Sequence, residues 1–294
     1  MYSEDKRLDK MKAFLMFGFV PLLAFAAVVV IPFAVGVYMT FTQTDGGAIT
    51  SKFVGVVNYA QAFTDPLFWK SMGFTLEYVV WSLVLTNVVA FLLALLVTSG
   101  IKGQNFFRLG FFTPNLIGGI ILGFVWQFMF SRVLVQIGSV LGIEPLSTTL
   151  LGDPDKAFWA LLIVGVWQNS GYMMIIYIAG LQGIDKSVLE AASIDGAGAW
   201  RQLIGVRIPL MMSAFTISLF LTLQRSFMVY DTNLSLTQGG PFRSTELISM
   251  HVYNEAFKSF NYGVGQAKAI VLFAVVALIA IIQVSVMKRM EVES

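Results

Sequence analysis

The chain has 294 residues, of which 57% are hydrophobic and 12% charged, with a formal net charge of +2. Soluble domains carry about a quarter charged residues, so this chain lacks the polar surface to cover itself in water, and its balanced charge excludes the basic footprint of a nucleic-acid binder. The absence of cysteine excludes disulfides, thiolate catalysis and Cys-based zinc or iron–sulfur sites, and the single histidine, His251, excludes a His-rich metal centre.

In chain order, residues 1–12 mix acids and bases and read as a tail, and residues 13–294 read as one transmembrane domain. No small-residue cleavage signature of the signal-peptide kind stands out, so the first apolar run is read as retained. A membrane-crossing helix needs roughly 20 apolar residues, because every backbone amide must be satisfied inside lipid. Uncharged runs that meet this need are Ala13–Thr44, Tyr78–Ile101, Leu109–Ser131 and Ala157–Ile184. A fifth, Ile208–Tyr230, is interrupted only by Arg225, and a sixth, Ala269–Met287, is just long enough. Pro21, Pro32 and Pro114 fall within these runs and are expected to kink them. The aromatic-rich segment Asn58–Trp69 suits an interfacial or partner-binding helix, and Val133–Ile143 is apolar but too short to cross, so it reads as re-entrant or surface-lying. Gly263-Val264-Gly265 reads as a flexible entry to the last span, and Asn233-Leu234-Ser235 matches a glycosylation sequon.

An even number of passes puts both termini on one side. With the N-terminus in the cytoplasm, the cytoplasmic segments hold eleven Lys and Arg and the longer outer segments seven. The positive-inside rule therefore places both termini in the cytoplasm. Residues 184–209 then form a charged island on that side, far longer than a chain reversal needs. The island predicts two short helices hinged at Asp195-Gly196. Ser187-x-x-Glu190 fits a capping box, Asp195 can cap the second helix, and Trp200, Leu203 and Ile204 share an apolar face.

Glu190-Ala191-Ala192, Asp195-Gly196-Ala197, Trp200, Ile208 and Pro209 resemble the EAA loop of binding-protein-dependent ABC importer permeases. Val57-Asn58-Tyr59, Asp65-Pro66-Leu67-Phe68-Trp69, Trp167-Gln168-Asn169-Ser170-Gly171-Tyr172 and Leu236-Thr237-Gln238-Gly239-Gly240-Pro241 resemble the sugar-transport branch, and the last of these the maltose-type first permease. The resemblance implies an all-α, polytopic membrane protein with six transmembrane helices in the type I ABC importer permease fold (MetI-like), in a bacterial inner membrane. It also implies a second homologous permease subunit, an ATP-binding subunit dimer and an extracellular or periplasmic solute-binding protein as partners, with a carbohydrate substrate. Glu190, Ala191, Ala192, Asp195 and Gly196 would dock the ATPase, with small alanines allowing close approach and Glu190 offering a charge-assisted hydrogen bond. The chain has no Gly-x-x-x-x-Gly-Lys-[Ser/Thr], so ATP and Mg are expected on the partners, with no cofactor, metal or catalytic residue in this chain.

A sugar pathway needs hydroxyl-pairing amides and aromatic faces, and the fourth run supplies Trp167, Gln168, Asn169, Tyr172 and Tyr177. Polar groups at that depth either line a wetted pathway or bond between helices, and for Asn169 both readings stand. Tyr177 reads as interfacial belt. Arg225 either lines the pathway or pairs with Glu77, with Asp231 a second candidate carboxylate; Glu77 is carried as a pathway candidate with it. Two other classes remain as rivals. A membrane-embedded enzyme would cluster carboxylates or histidines at one face, whereas the acids here are scattered. A secondary carrier would need titratable groups at mid-membrane and would work alone.

Overall fold

Proline, glycine and buried charge set the element boundaries along the apolar runs. The computed structural model describes residues 12, 14–45 and 48–291, so the tail expected over residues 1–12 lies outside the described residues apart from Lys12. Helix α1 (Phe14–Met39) is followed by strands β1 (Thr42–Asp45) and β2 (Ala48–Phe53) and helix α2 (Val57–Thr64). Helix α3 (Pro66–Thr98), α4 (Gln104–Phe112), α5 (Gly119–Leu141) and α6 (Pro154–Gln182) come next. The island folds as α7 (Lys186–Ile194) and α8 (Ala199–Leu210), and α9 (Met212–Phe227), α10 (Asp231–Leu236), α11 (Ile248–Tyr253) and α12 (Tyr262–Lys288) complete the chain. Helices α1, α3, α5, α6 and α12 are each long and apolar enough to cross a membrane, and α8 with α9 meets the same test only as a pair, bent by 70°.

Several boundaries differ from those the sequence predicts. The run Leu109–Ser131 is not one helix. Pro114 has no amide to continue the ladder, so α4 gives way to a 3-10 turn at Thr113–Leu116 and extended backbone at Ile117 and Gly118. The span is instead α5, which takes in most of Val133–Ile143, the segment expected to be re-entrant or surface-lying. Arg132, which ended the uncharged run, is exposed and lets the helix continue around it. The fifth span breaks at Met211, just after Pro209, so Arg225 lies in the last turn of α9 rather than mid-helix. Pro21, Pro32 and Pro209 each follow a π turn, at Phe14–Gly18, Ala26–Val30 and Leu203–Arg207. A missing donor is absorbed there by a register slip.

The chain divides into two compact units. The first comprises residues 1–65 and 252–271. Its hairpin is antiparallel, with Thr42 opposite Phe53 and Gln43 opposite Lys52. Asn58 Nδ2 ties α2 to the hairpin by donating to the carbonyls of Thr40 at 2.9 Å and Thr42 at 3.0 Å. Helix α12 begins seven residues before the expected Ala269, because Lys268 is buried and paired with Asp65 at 2.6 Å and Glu255 at 2.8 Å. Gly263 and Gly265 are buried in its first turns, against Asn58 and Ala256, and so are packing positions and not a flexible entry.

The second unit comprises residues 66–251 and 272–294. Its core has one cluster around Tyr78, Leu122, Phe158, Leu161 and Leu236, and another around Ala90, Ala94, Met173, Tyr177 and Met211. A polar seam runs between α3, α6 and α9. Asn87 Oδ1 accepts from Tyr177 at 2.7 Å and Ser218 at 2.6 Å, and Ser226 donates to Ser82 at 2.8 Å. Tyr177 is therefore an interior residue, not part of an interfacial belt. Asn233 is also fully buried, bonding Thr245 and Thr237, so the sequon is not presented to modifying enzymes.

Candidate functional site: a two-helix knob and a pocket at the end of helix α9

The knob at residues 184–209 forms two helices about Asp195-Gly196, as the sequence predicts. The caps differ. Asp185, not Ser187, caps α7 by accepting from the Ser187 amide at 2.9 Å, and Asp195 ends α7 while Gly198 starts α8. The hydrogen bonds from the Ser187 amide and hydroxyl hold the Asp185 carboxyl below its usual range. Gly196 has φ +77°, a conformation that costs any residue with a β-carbon, and Ala197 N donates back to Ala192 O at 2.9 Å. Gln202 braces the two helices by donating to Ser193 Oγ and to Ala197 O, both at 2.9 Å. The knob is thus preformed, and Glu190, Ala191, Asp195 and Gly196 are exposed on it while Ala192 is half-buried. Ile194 is 86% and Trp200 73% exposed. Both side chains leave large apolar area uncovered within the chain.

The second feature is a pocket of about 350 Å³ within the second unit, lined among others by Gln168 and Asn169 of α6 and Arg225 of α9. Arg225 Nη1 donates to Asn169 Oδ1 at 2.9 Å, and its guanidinium lies 4.5 Å above the ring of Tyr172. Asn169 Nδ2 donates to Gly165 O at 2.8 Å, and Gln168 Nε2 to Ile117 O at 3.1 Å. The sequence-predicted group of Gln168, Asn169, Tyr172 and Arg225 is therefore brought together. Trp167 is not a pocket wall; it packs edge-to-face on Trp126 at 5.4 Å. Glu77 is exposed on α3, and among the described residues no ion pair joins it to Arg225.

Sequence reading missed Asn115 and Gln224, which also line the pocket, and treated Asp231 only as an ion-pair candidate. The available signal was chemical: Asn115 follows the span-breaking Pro114, and Gln224 adjoins Arg225 in an otherwise apolar run. Asp231 reaches the pocket because Gly119 lets α10 approach α5; a Cβ there would lie 2.8 Å from that of Asp231.

Several helices long and apolar enough to cross a membrane, with a polar pocket among them, define a multi-pass membrane protein. The chain belongs to the family described as binding-protein-dependent transport system inner membrane component, whose sequence profile matches residues 13–292. It is 43% identical over 272 residues to the probable starch degradation products transport system permease protein AmyD of Thermoanaerobacterium thermosulfurigenes, covering 92% of each chain. It is 33% identical over 276 residues to the multiple sugar-binding transport system permease protein MsmF of Streptococcus mutans, covering 94% of this chain and 95% of that one. Its fold matches a chain of a bacterial ABC transporter involved in the import of the acidic polysaccharide alginate, with a TM-score of 0.82, 19% identity and 98% of each chain covered.

Proposed function

We propose that this chain is a permease subunit of an ATP-driven importer of sugars or oligosaccharides, forming half of the translocation pathway. The observation that carries it is the near full-length likeness to two sugar-system permeases in a chain that also keeps a preformed knob. A second permease subunit supplies the other half of the pathway. A solute-binding protein delivers substrate from outside. Two ATPase subunits bind ATP and Mg, and this chain catalyses no reaction. Both termini and the knob face the cytoplasm, in keeping with the excess of Lys and Arg in the segments on that side.

In this reading the knob seats in the ATPase, with Ile194 and Trp200 supplying apolar area and Glu190 a charge-assisted hydrogen bond. ATP and substrate favour different arrangements of the spans, which is the condition for coupling them. Pull-down of a tagged copy from its native host, with and without Glu190→Arg, tests this. Recovery of a second permease and an ATPase with the unmodified chain, and loss of the ATPase with the variant, is expected. Recovery of the chain alone in both cases would instead favour a secondary carrier.

A further inference from the structure

We infer that a second pocket, built wholly within the first unit, is an outer subsite that holds one end of the imported saccharide. It shares no residue with the pocket at the end of α9. That the ligand is a saccharide rests on the importer reading above; the place and the contacts come from the first unit itself.

The pocket has a volume of about 300 Å³ and lies where β1 and α2 meet the start of α12. Gln43, Asn58, Gln61 and Asn261 line it, so carboxamides dominate, and no ionised side chain does. Asn58 is only 7% exposed, and its nitrogen is fixed on Thr40 O and Thr42 O. Its Oδ1 accepts no hydrogen bond among the described residues, although the side chain borders the pocket. Asn261 gives its nitrogen to Glu255 at 2.8 Å and likewise keeps its oxygen. Gln61 is exposed, and among the described residues its side chain makes no hydrogen bond. Gly263 lets α12 close against this wall, since a Cβ there would lie 2.6 Å from Asn58 Nδ2. Gly263 and Val264 stand in the first turn of α12, where amides have no acceptor within the helix.

The open groups are therefore two oriented acceptors, one carboxamide that both donates and accepts, and backbone donors. An ion placed here would meet no opposite side-chain charge in the lining, and desolvating it would go uncompensated. A hydroxyl fits better, because it donates and accepts at once. It can give its proton to Asn58 Oδ1 or Asn261 Oδ1 while accepting from Gln61 or from an amide of α12. Val54 and Val57 offer apolar wall to the C–H face of a sugar ring. About 300 Å³ is the lower end of the range for small-molecule sites, so the pocket takes the end of an oligosaccharide and not its length. The hairpin follows the far end of α1 from the N-terminus, and α12 runs from the pocket toward the C-terminus. With both termini in the cytoplasm, the subsite faces the side from which substrate arrives.

The test uses the whole importer reconstituted with its partner subunits. Uptake into proteoliposomes from a pool of neutral oligosaccharides, made by partial hydrolysis of starch, inulin and xylan, picks out the species carried. That species is then titrated onto the complex in nanodiscs without the solute-binding protein, and hydrogen exchange is followed over residues 57–64 and 261–265. Wild type should gain saturable protection in both segments. Polyethylene glycol, which has ether oxygens but no hydroxyls along its length, should give none. Gln61→Leu alters an exposed side chain that bonds nothing within the chain, so the fold should survive it. It should raise the half-saturating concentration about fivefold, the loss that one neutral hydrogen bond carries. Uptake with no protection in either segment would overturn the subsite and leave the importer reading standing. So would equal protection by polyethylene glycol, or protection that Gln61→Leu leaves unaltered in an intact complex. Uptake of no saccharide at all would overturn both.

Discussion

The hydroxyl of Tyr177 on α6 donates to Asn87 Oδ1 on α3 at 2.7 Å, and the same oxygen accepts from Ser218 on α9 at 2.6 Å. One carboxamide thus joins three helices in the interior of the second unit. Polar side chains between apolar spans give direction to packing that dispersion alone leaves degenerate. Asn87→Leu strands two buried hydroxyls, and each such group costs about 1–3 kcal/mol. The expected result is a clear fall in the melting temperature of the purified protein. Tyr177→Phe should fall less, because it removes a donor and leaves Asn87 its bond from Ser218. In the double variant the two losses should not add, since both remove the same bond. Additive losses would show that the Asn87–Tyr177 bond contributes nothing of its own.

Arg225 is held by Asn169 and Tyr172, and among the described residues it makes no ion pair with Glu77. Arg225→Gln should lower saccharide uptake, and adding Glu77→Gln should not restore it, because Glu77 is exposed and the two are not paired. Asn169→Leu should lower uptake as well, and combining it with Arg225→Gln should cost little more than the worse single change. Arg225→Lys should also fail, since an ammonium cannot lie flat on the Tyr172 ring while donating sideways to Asn169. Restoration of uptake by the Glu77 change would restore the ion-pair reading.

How far the sequence reached depends on the kind of signal. The existence of the spans and of the knob was legible because apolar length and charge islands report directly on the solvent each segment needs. Their ends were not. Arg132 inside α5 and Lys268 inside α12 look like span boundaries in sequence, yet one is exposed and the other is neutralised by Asp65 and Glu255, residues distant in the chain. The pocket was half legible. Composition brought out Gln168, Asn169 and Arg225, but which of their atoms were already committed depended on partners such as Ile117 O. No spacing rule reports backbone carbonyls exposed by a broken helix.

The Asp185 cap gives the knob a pH dependence with a definite sign. Hydrogen bonds from the Ser187 amide and hydroxyl lower the carboxyl's folded pKa. Its contribution to α7 is therefore fully present above the unfolded carboxylate range and is lost as pH falls through the lowered folded value. Hydrogen-exchange protection of the first turn of α7 should hold at neutral pH and drop in acid. Asp185→Ala should show the acid level of protection at every pH, and Asp185→Asn an intermediate level that does not vary with pH. Unchanged protection in Asp185→Ala would mean that packing, not the cap, holds the turn.

Lys268 is 1% exposed and bridges two carboxylates of the first unit, Asp65 at the end of α2 and Glu255 just beyond α11. Burying an ammonium is costly unless paired, and here the pairing is double, so the group ties three chain segments together. Lys268→Met removes the cation and leaves two partly buried carboxylates facing each other, a change of the kind that costs about 3–5 kcal/mol. Asp65→Asn should cost less, because Lys268 keeps Glu255. Adding Glu255→Gln to Lys268→Met should recover part of the loss by removing one of the two like charges. Melting of the purified chain in detergent gives the order directly. The expected ranking of stability is wild type, then Asp65→Asn, then Lys268→Met with Glu255→Gln, and last Lys268→Met alone. If Lys268→Met proved as stable as wild type, the buried charges would be dispensable to stability and the apolar length of α12 alone would hold it in place.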